Sequence, residues 1–432
     1  MNALRPLILA CALAWAATAL AAPATPDHAA ESPPALSATA PEQLALPPTP
    51  AVLSTLGELA SLRAATAGVS AAAARADRLR AGSAEWNLRA GAARRKDELG
   101  NRYAETELSL EKALRGPAKQ RTDHALADGE NRLGQLAWAQ AWQDAATEFL
   151  GAWFGWLREQ RGATLLAEQA KLAEQEAGIA AQRLQAGEAA RMEHGLALAE
   201  SQRWAAAAQQ AALRERGLAL ELARRYPAIA RTAPATLPAP APFGDEASPW
   251  VGQLVGQNAA LRHAEASAEQ ARLQAQRTGQ ERRPDPLVGV RASRERGGQE
   301  NVLGVYVALP LSGAAREAEA RAALAQADAA EQQAADLRAR VEAAAQRTVA
   351  QAGGSQAAWQ SLERTRQLMQ DNARLAMRAY ALGEIRISEA LLARRNALEA
   401  AQNAEAAQLD ALESQSRLLL QAQRLWPAPP AP

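Results

Sequence analysis

The second half of this chain repeats the first at an offset of about 197 residues, and that duplication limits the fold more than any other feature. The run Arg183-Leu184-Gln185-Ala186-Gly187-Glu188, followed by Glu193, returns as Arg378-Ala379-Tyr380-Ala381-Leu382-Gly383-Glu384, followed by Glu389. Leu114-Arg115-Gly116-Pro117 returns as Leu311-Ser312-Gly313-Ala314, and Leu62-Arg63 as Leu261-Arg262. Three anchors at nearly one offset are hard to blame on alanine-rich composition. Each half reads as helix, two short strands, very long helix, tight turn, long helix. A unit that large and elongated, copied twice, suits a pseudo-symmetric machine part better than a compact enzyme.

The strands announce themselves by a change of period. Trp86, Leu88, Ala90 and Ala92 alternate with Glu85, Asn87, Arg89 and Gly91, the pattern of a strand with one apolar and one wet face. Lys96 to Gly100 reads as a turn, and Ala104, Thr106, Leu108 and Leu110 alternate on the way back. Even-numbered positions should therefore share one face. In the second half Leu287 to Ser293 runs out, Arg294 to Glu300 turns, and Val302 to Leu309 returns. The hairpins are expected at 85–111 and 286–310. Such strands, about ten residues each, suffice to cross an outer membrane when tilted. Four strands cannot close a membrane barrel, whose minimum is about eight, so membrane strands here would require several copies.

Residues 52–82 lack proline and read as one helix. Beyond each hairpin lies a proline-free stretch, 118–184 or 314–382, which as helix would run roughly 100 Å. Helices that long imply coiled-coil packing. Gly353-Gly354 should bend the second one. Trp138, Trp142, Phe149, Trp153, Phe154 and Trp156 read as a packed core rather than a ligand site. Gly187 and Gly383 should end the long helices in left-handed conformation, and helices over 189–225 and 386–425 run back.

The chain opens with an apolar run from Leu7 to Leu20 that ends in small residues, a secretory leader over 1–21. A lipoprotein site at Cys11 is the weaker reading, because the apolar stretch before it is short. Cys11 is the only cysteine, so leader removal would leave neither disulfide nor thiolate. A flexible arm is expected over 22–50, a first repeat over 51–226, a Pro-rich linker over 227–248, a second repeat over 249–426 and a tail over 427–432. The 48 basic and 47 acidic residues balance and give no push toward nucleic acid. No phosphate loop, zinc motif or nucleophile elbow occurs. His194 beside Glu193 reads as a solvated helix residue. Neither an enzyme, a cofactor nor a metal site is expected.

The duplicated plan resembles the TolC family of outer-membrane efflux channels over about residues 50–426. The resemblance rests on Pro284-Asp285-Pro286 before a strand, Leu309-Pro310-Leu311 at the strand-to-helix passage, and the turns Leu184 to Glu188 and Tyr380 to Ile385. Pro284-Asp285-Pro286 with Ser293 to Glu300 looks most like the heavy-metal, Czc/Cus-type branch. The resemblance implies a mainly α protein with a small β part. It implies a homotrimer whose hairpins form one twelve-stranded outer-membrane β-barrel in the lipid, continuous with a periplasmic α-helical tunnel. An inner-membrane RND-type pump and a periplasmic membrane-fusion adaptor would be its partners, and heavy-metal cations its cargo. Drug efflux, type I protein secretion and a poreless periplasmic coiled-coil scaffold are the alternatives. The residues implied at the adaptor-docking tip are Gly187, Glu188, Glu193, Tyr380, Gly383, Glu384 and Glu389. Tyr380 matches the family's tip tyrosine and Glu389 one of its acids. Ile385 stands where better-known members carry an arginine, and Leu392 where they carry an aspartate.

Overall fold

The computed structural model describes residues 41–82, 85–96, 98–243 and 247–432. The expected leader, Cys11, the arm up to residue 40 and Asp97 of the first turn lie outside the described residues. The first half comprises α1 (Thr49–Gly57), α2 (Ala60–Ala81), β1 (Asn87–Lys96), β2 (Arg102–Ala113), α3 (Pro117–Gln185) and α4 (Arg191–Arg225). The second comprises α5 (Ala247–Gln257), α6 (Ala259–Gln280), β3 (Leu287–Glu295), β4 (Glu300–Ala308), α7 (Ala314–Ala381) and α8 (Ile387–Gln421). α2 and α6 are both 22 residues long, and α4 and α8 both 35. The helix expected over 52–82 is two helices. Leu59 is extended, with φ −63° and ψ 138°, and α1 turns aside to bury Val52 and Leu56 in the core.

The two hairpins form one antiparallel sheet in the order β1-β2-β3-β4, joined across the halves by β2 and β3. Register sorts the side chains. Leu88, Leu110, Val290 and Val305 lie in one row and Ala90, Leu108, Ala292 and Leu303 in the next. Paired residues share a face, so one face carries these apolar rows and the other the strand carboxylates Glu105, Glu107, Glu111, Glu295 and Glu300. The apolar face is bare: Leu88, Leu108, Leu303 and Val305 are all exposed. Tyr306 lies across Gly289, where a Cβ would sit 2.5 Å from its ring, and donates to Glu111 at 2.6 Å. The turns are tighter than expected. Lys96 belongs to β1, Arg294 and Glu295 to β3, and Glu300 to β4. Arg296, Gly297 and Gly298 all take positive φ in the second turn, which reverses the chain in few residues.

Where β2 passes into α3, six charged side chains meet. Arg115 contacts Asp123 (2.5 Å), Glu281 (2.5 Å) and Asp285 (3.1 Å). Lys119 contacts Glu281 and Asp285, and Arg277 contacts Asp123. The bond to Asp123 holds the Arg115 guanidinium above its usual range. Three cations face three anions, so the corner is neutral and joins the first half to the second. Such buried charges persist only when all are paired.

The core sits midway along α3. Trp138, Trp142, Phe149, Trp153, Phe154 and Trp156 are buried there, as core packing required. Three of the indoles clasp separate segments. Trp153 donates to Ala45 O at 2.9 Å, Trp142 to Trp426 O at 3.0 Å, and Trp156 to Glu215 at 2.9 Å. From residue 41 the arm expected to be flexible is therefore held: Leu44, Ala45 and Leu46 are buried. The tail is held as well, with Ala428 and Ala431 packed on the same core. The Pro-rich linker is strapped down. Gln415 brackets Ala241, accepting from its N–H and donating to its carbonyl, while Gln408 donates to Leu237 O and Pro238 O.

α7 runs as one uninterrupted helix across Gly353-Gly354. A Cβ on Gly353 would come 3.2 Å from the Phe243 ring of the linker, so the residue permits close approach. Buried alanines recur every seven residues at 320, 327 and 334 on α7 and at 390, 397, 404 and 411 on α8. That period keeps one seam against a neighbouring helix as in a coiled coil, and small side chains let the backbones approach.

Candidate functional site

The far ends of the long helices, about 100 Å from the strands along α3 and α7, carry the expected site residues. Both helices stop the same way. Gly187 has φ 77° and Gly383 φ 79°. The Glu188 N–H donates to Arg183 O at 2.8 Å and the Gly187 N–H to Leu184 O at 3.1 Å. The matching bonds, Glu384 to Ala379 O and Gly383 to Tyr380 O, measure 2.9 and 3.0 Å. These bonds satisfy carbonyls that a helix end leaves without partners, and the left-handed residue they need is glycine. A Cβ at either glycine would meet nothing within 4 Å. The backbone conformation demands glycine here, and open space lies beside each turn.

The return helices start with Glu193 and Glu389 in their first turns, where a carboxylate suits the positive helix end. From there the two tips differ. The Tyr380 hydroxyl donates to Glu193 at 2.5 Å and accepts from Arg183 Nη1 at 2.6 Å. Arg183 lies 3.6 Å from Glu193 and 5.5 Å from the Tyr380 ring centroid. Burial, and then the bond to Glu193, raise the Tyr380 hydroxyl above its ordinary value, against the pull of Arg183. It stays protonated at neutral pH, as its role as donor requires. One residue each from α3, α4 and α7 thus tie the two halves together. At the matching places on the other tip stand Ala379, Glu389 and Leu184, and no such link forms.

The structure brings Glu193 and Tyr380 together. Glu188, Glu384 and Glu389 are exposed and have no ion-pair partner among the described residues. Arg183 was not among the expected site residues. Its signal in the sequence is an arginine one helical turn before Gly187, at the place where the repeat has Ala379. Further up the bundle Arg394 of α8 pairs with Glu176 of α3, one of several links between the halves. Among the described residues no group of three His, Cys, Asp or Glu side chains could hold a metal ion, and no helix is long and apolar enough to cross a membrane.

No family model matches the chain, and no curated protein matches it in sequence. Solved structures do match in shape. The outer-membrane channel OprN aligns with a TM-score of 0.75 and 18% identity, over 89% of this chain and 91% of that one. The CmeC outer-membrane channel of Campylobacter jejuni aligns with a TM-score of 0.70 and 14% identity, over 89% and 86%. CusC aligns with a TM-score of 0.62 and 13% identity, over 87% and 91%. CusC fits less well than OprN, so the likeness does not favour a Cus-type branch. The chain is mainly helical with a small antiparallel sheet, and it has the fold of outer-membrane channel protomers along nearly its whole length.

Proposed function

We propose that this chain is one protomer of an outer-membrane export channel, a passive conduit in a tripartite efflux system. Three copies would join their sheets, β4 of one to β1 of the next, into a twelve-stranded barrel. Their helices would continue as a periplasmic tunnel, to which an inner-membrane RND-type pump and a periplasmic adaptor deliver cargo. The observation that carries this reading is the bare apolar face on four strands whose outer edges have no partner among the described residues. An isolated sheet with such a face and two open edges is unstable in water. Closure in lipid satisfies both.

Heavy-metal cations are the cargo we propose. In support, the polar face carries five glutamates against three arginines, Arg89, Arg95 and Arg291, a surplus that favours cations in a barrel lumen. The two glycine turns, with Glu188, Glu193, Tyr380, Glu384 and Glu389 around them, are the proposed adaptor-docking tip. Reconstitution tests the channel: purified protein in planar bilayers should give trimer-sized, cation-selective conductance. Crosslinking in cells tests the tip. Valine at both glycines, with φ near +80° disfavoured for it, should leave assembled trimers that no longer crosslink to the adaptor. A soluble, non-conducting protein would overturn the channel, and undiminished crosslinking would overturn the docking site.

A further inference from the structure

The apolar face of the sheet changes character toward its turns. Beyond the Ala90-Leu108-Ala292-Leu303 row come Arg294, then Arg94, then Lys96 directly opposite Arg102. All four cations lie on the apolar face, because each falls in register with Thr106, Ala104 or another cation of that face. The strand carboxylates all lie on the other face. The four are exposed and form no ion pair among the described residues. Two of the three polar-face cations are paired, Arg89 with Glu111 and Arg95 with Glu105.

Two like charges directly opposite across a strand pair are destabilising, so an anion bound beside Lys96 and Arg102 would stabilise this end of the sheet. Arg294 is held ready for one. Its guanidinium lies over Gly298, where a Cβ would sit 2.6 Å from Nε, so it is positioned at the end of the hairpin. The opposite end of the apolar belt is marked by Trp86 with Lys112 Nζ 5.2 Å from its ring, a pair suited to a membrane interface. From Trp86 to Arg94 the strand runs roughly 27 Å, which when tilted is close to the height of an outer-membrane apolar band.

We propose that Arg94, Lys96, Arg102 and Arg294 form a phosphate-binding rim for the phosphorylated, multiply acylated glycolipid of the outer leaflet. Its acyl chains lie along the apolar rows and its phosphates meet the four cations in charge-assisted bonds. This rests on the reading that the sheet is a membrane barrel.

The test uses the full-length protein, fractionated from cells and then purified in detergent, with bis-phosphorylated lipid A as probe. Binding is read by native mass spectrometry. Lipid A should bind, and the same lipid stripped of phosphate should bind about tenfold more weakly or worse. The combined variant R94Q/K96Q/R102Q/R294Q should lose as much, while R89Q/R95Q/R291Q on the polar face should keep the wild-type affinity. Should the combined variant fail to assemble, Arg294→Gln alone should lose about fivefold. Equal binding of lipid A by wild type and rim variants, or equal loss from the polar-face variant, overturns the rim alone. A wild-type protein absent from the outer-membrane fraction overturns the rim and the barrel together.

Discussion

The long helices α3 and α7 are nearly equal in length, 69 and 68 residues, and they carry different loads. α3 holds six buried aromatic residues between Trp138 and Trp156 and receives the arm and the tail. α7 buries mainly alanines, with Val349 and Gln356, and serves as a coiled-coil stave. Duplication supplied two staves, and only the first became the keel of the core. The tips divide in the same way. Both keep the glycine turn, but only the first return helix has its acid engaged by Tyr380. A repeated sequence therefore preserves geometry where backbone conformation demands it and diverges where side chains set the contacts.

The largest expected asymmetry is in the core. Trp153→Ala should destabilise the protein by about 3–5 kcal/mol, losing aromatic packing and the bond to Ala45. Val349→Ala on α7 should cost roughly 1.6 kcal/mol, the value of two buried methyl groups. Thermal melting of the purified variants should rank them in that order; equal shifts would mean that α7 carries as much core as α3. The sheet, by contrast, should treat the halves alike. Leu108→Arg and Leu303→Arg each place a charge on the apolar face and should each cost about 2–4 kcal/mol in lipid. Glu107→Arg, on the polar face, should assemble normally in heat-modifiability gels. If only one of the two leucine variants failed, the shared face would be misassigned.

Smaller effects are expected at the tip. Glu193→Ala removes a charged partner of Tyr380 and should loosen the link between halves by about 1.5–3 kcal/mol. Channel conductance should then rise, whereas Glu389→Ala on the other tip should leave it unchanged. The smallest test distinguishes two adjacent glycines. Gly354→Ala, with nothing near its Cβ, should stabilise α7 by about 1 kcal/mol. Gly353→Ala would press on Phe243 and should gain nothing. Equal stabilisation by both would remove the packing explanation for Gly353.

Much of this was legible in the sequence because its signals are local. Long stretches without proline mark α3 and α7, and alternation marks β1 and β2. Gly187 and Gly383 read correctly as helix ends because the left-handed conformation is a property of the residue itself. Several misreadings share one cause: the deciding partner is far away in the chain. Gly353 reads only as a flexible residue until Phe243 appears beside it. Leu44 to Leu46 lie among prolines and read as a loose arm, but Trp153 fixes them. Arg183 stands out in the sequence only against Ala379 of the repeat, and the partner that gives it a role, Tyr380, lies 197 residues on.

The clasp between Trp142 and the carbonyl of Trp426 spans 284 residues, and it has a consequence for the order of events during biogenesis. A chain that emerges N-terminus first cannot complete this core until Trp426 has been delivered. Contacts so distant in sequence make folding slow. Until they form, the aromatic face of α3 and the apolar rows of the sheet are exposed together, so the incomplete chain is prone to aggregate. Trp426 thus closes a core opened 284 residues earlier: a chain cut before it would keep every strand and both tips and would lack the partner that Trp142 clasps.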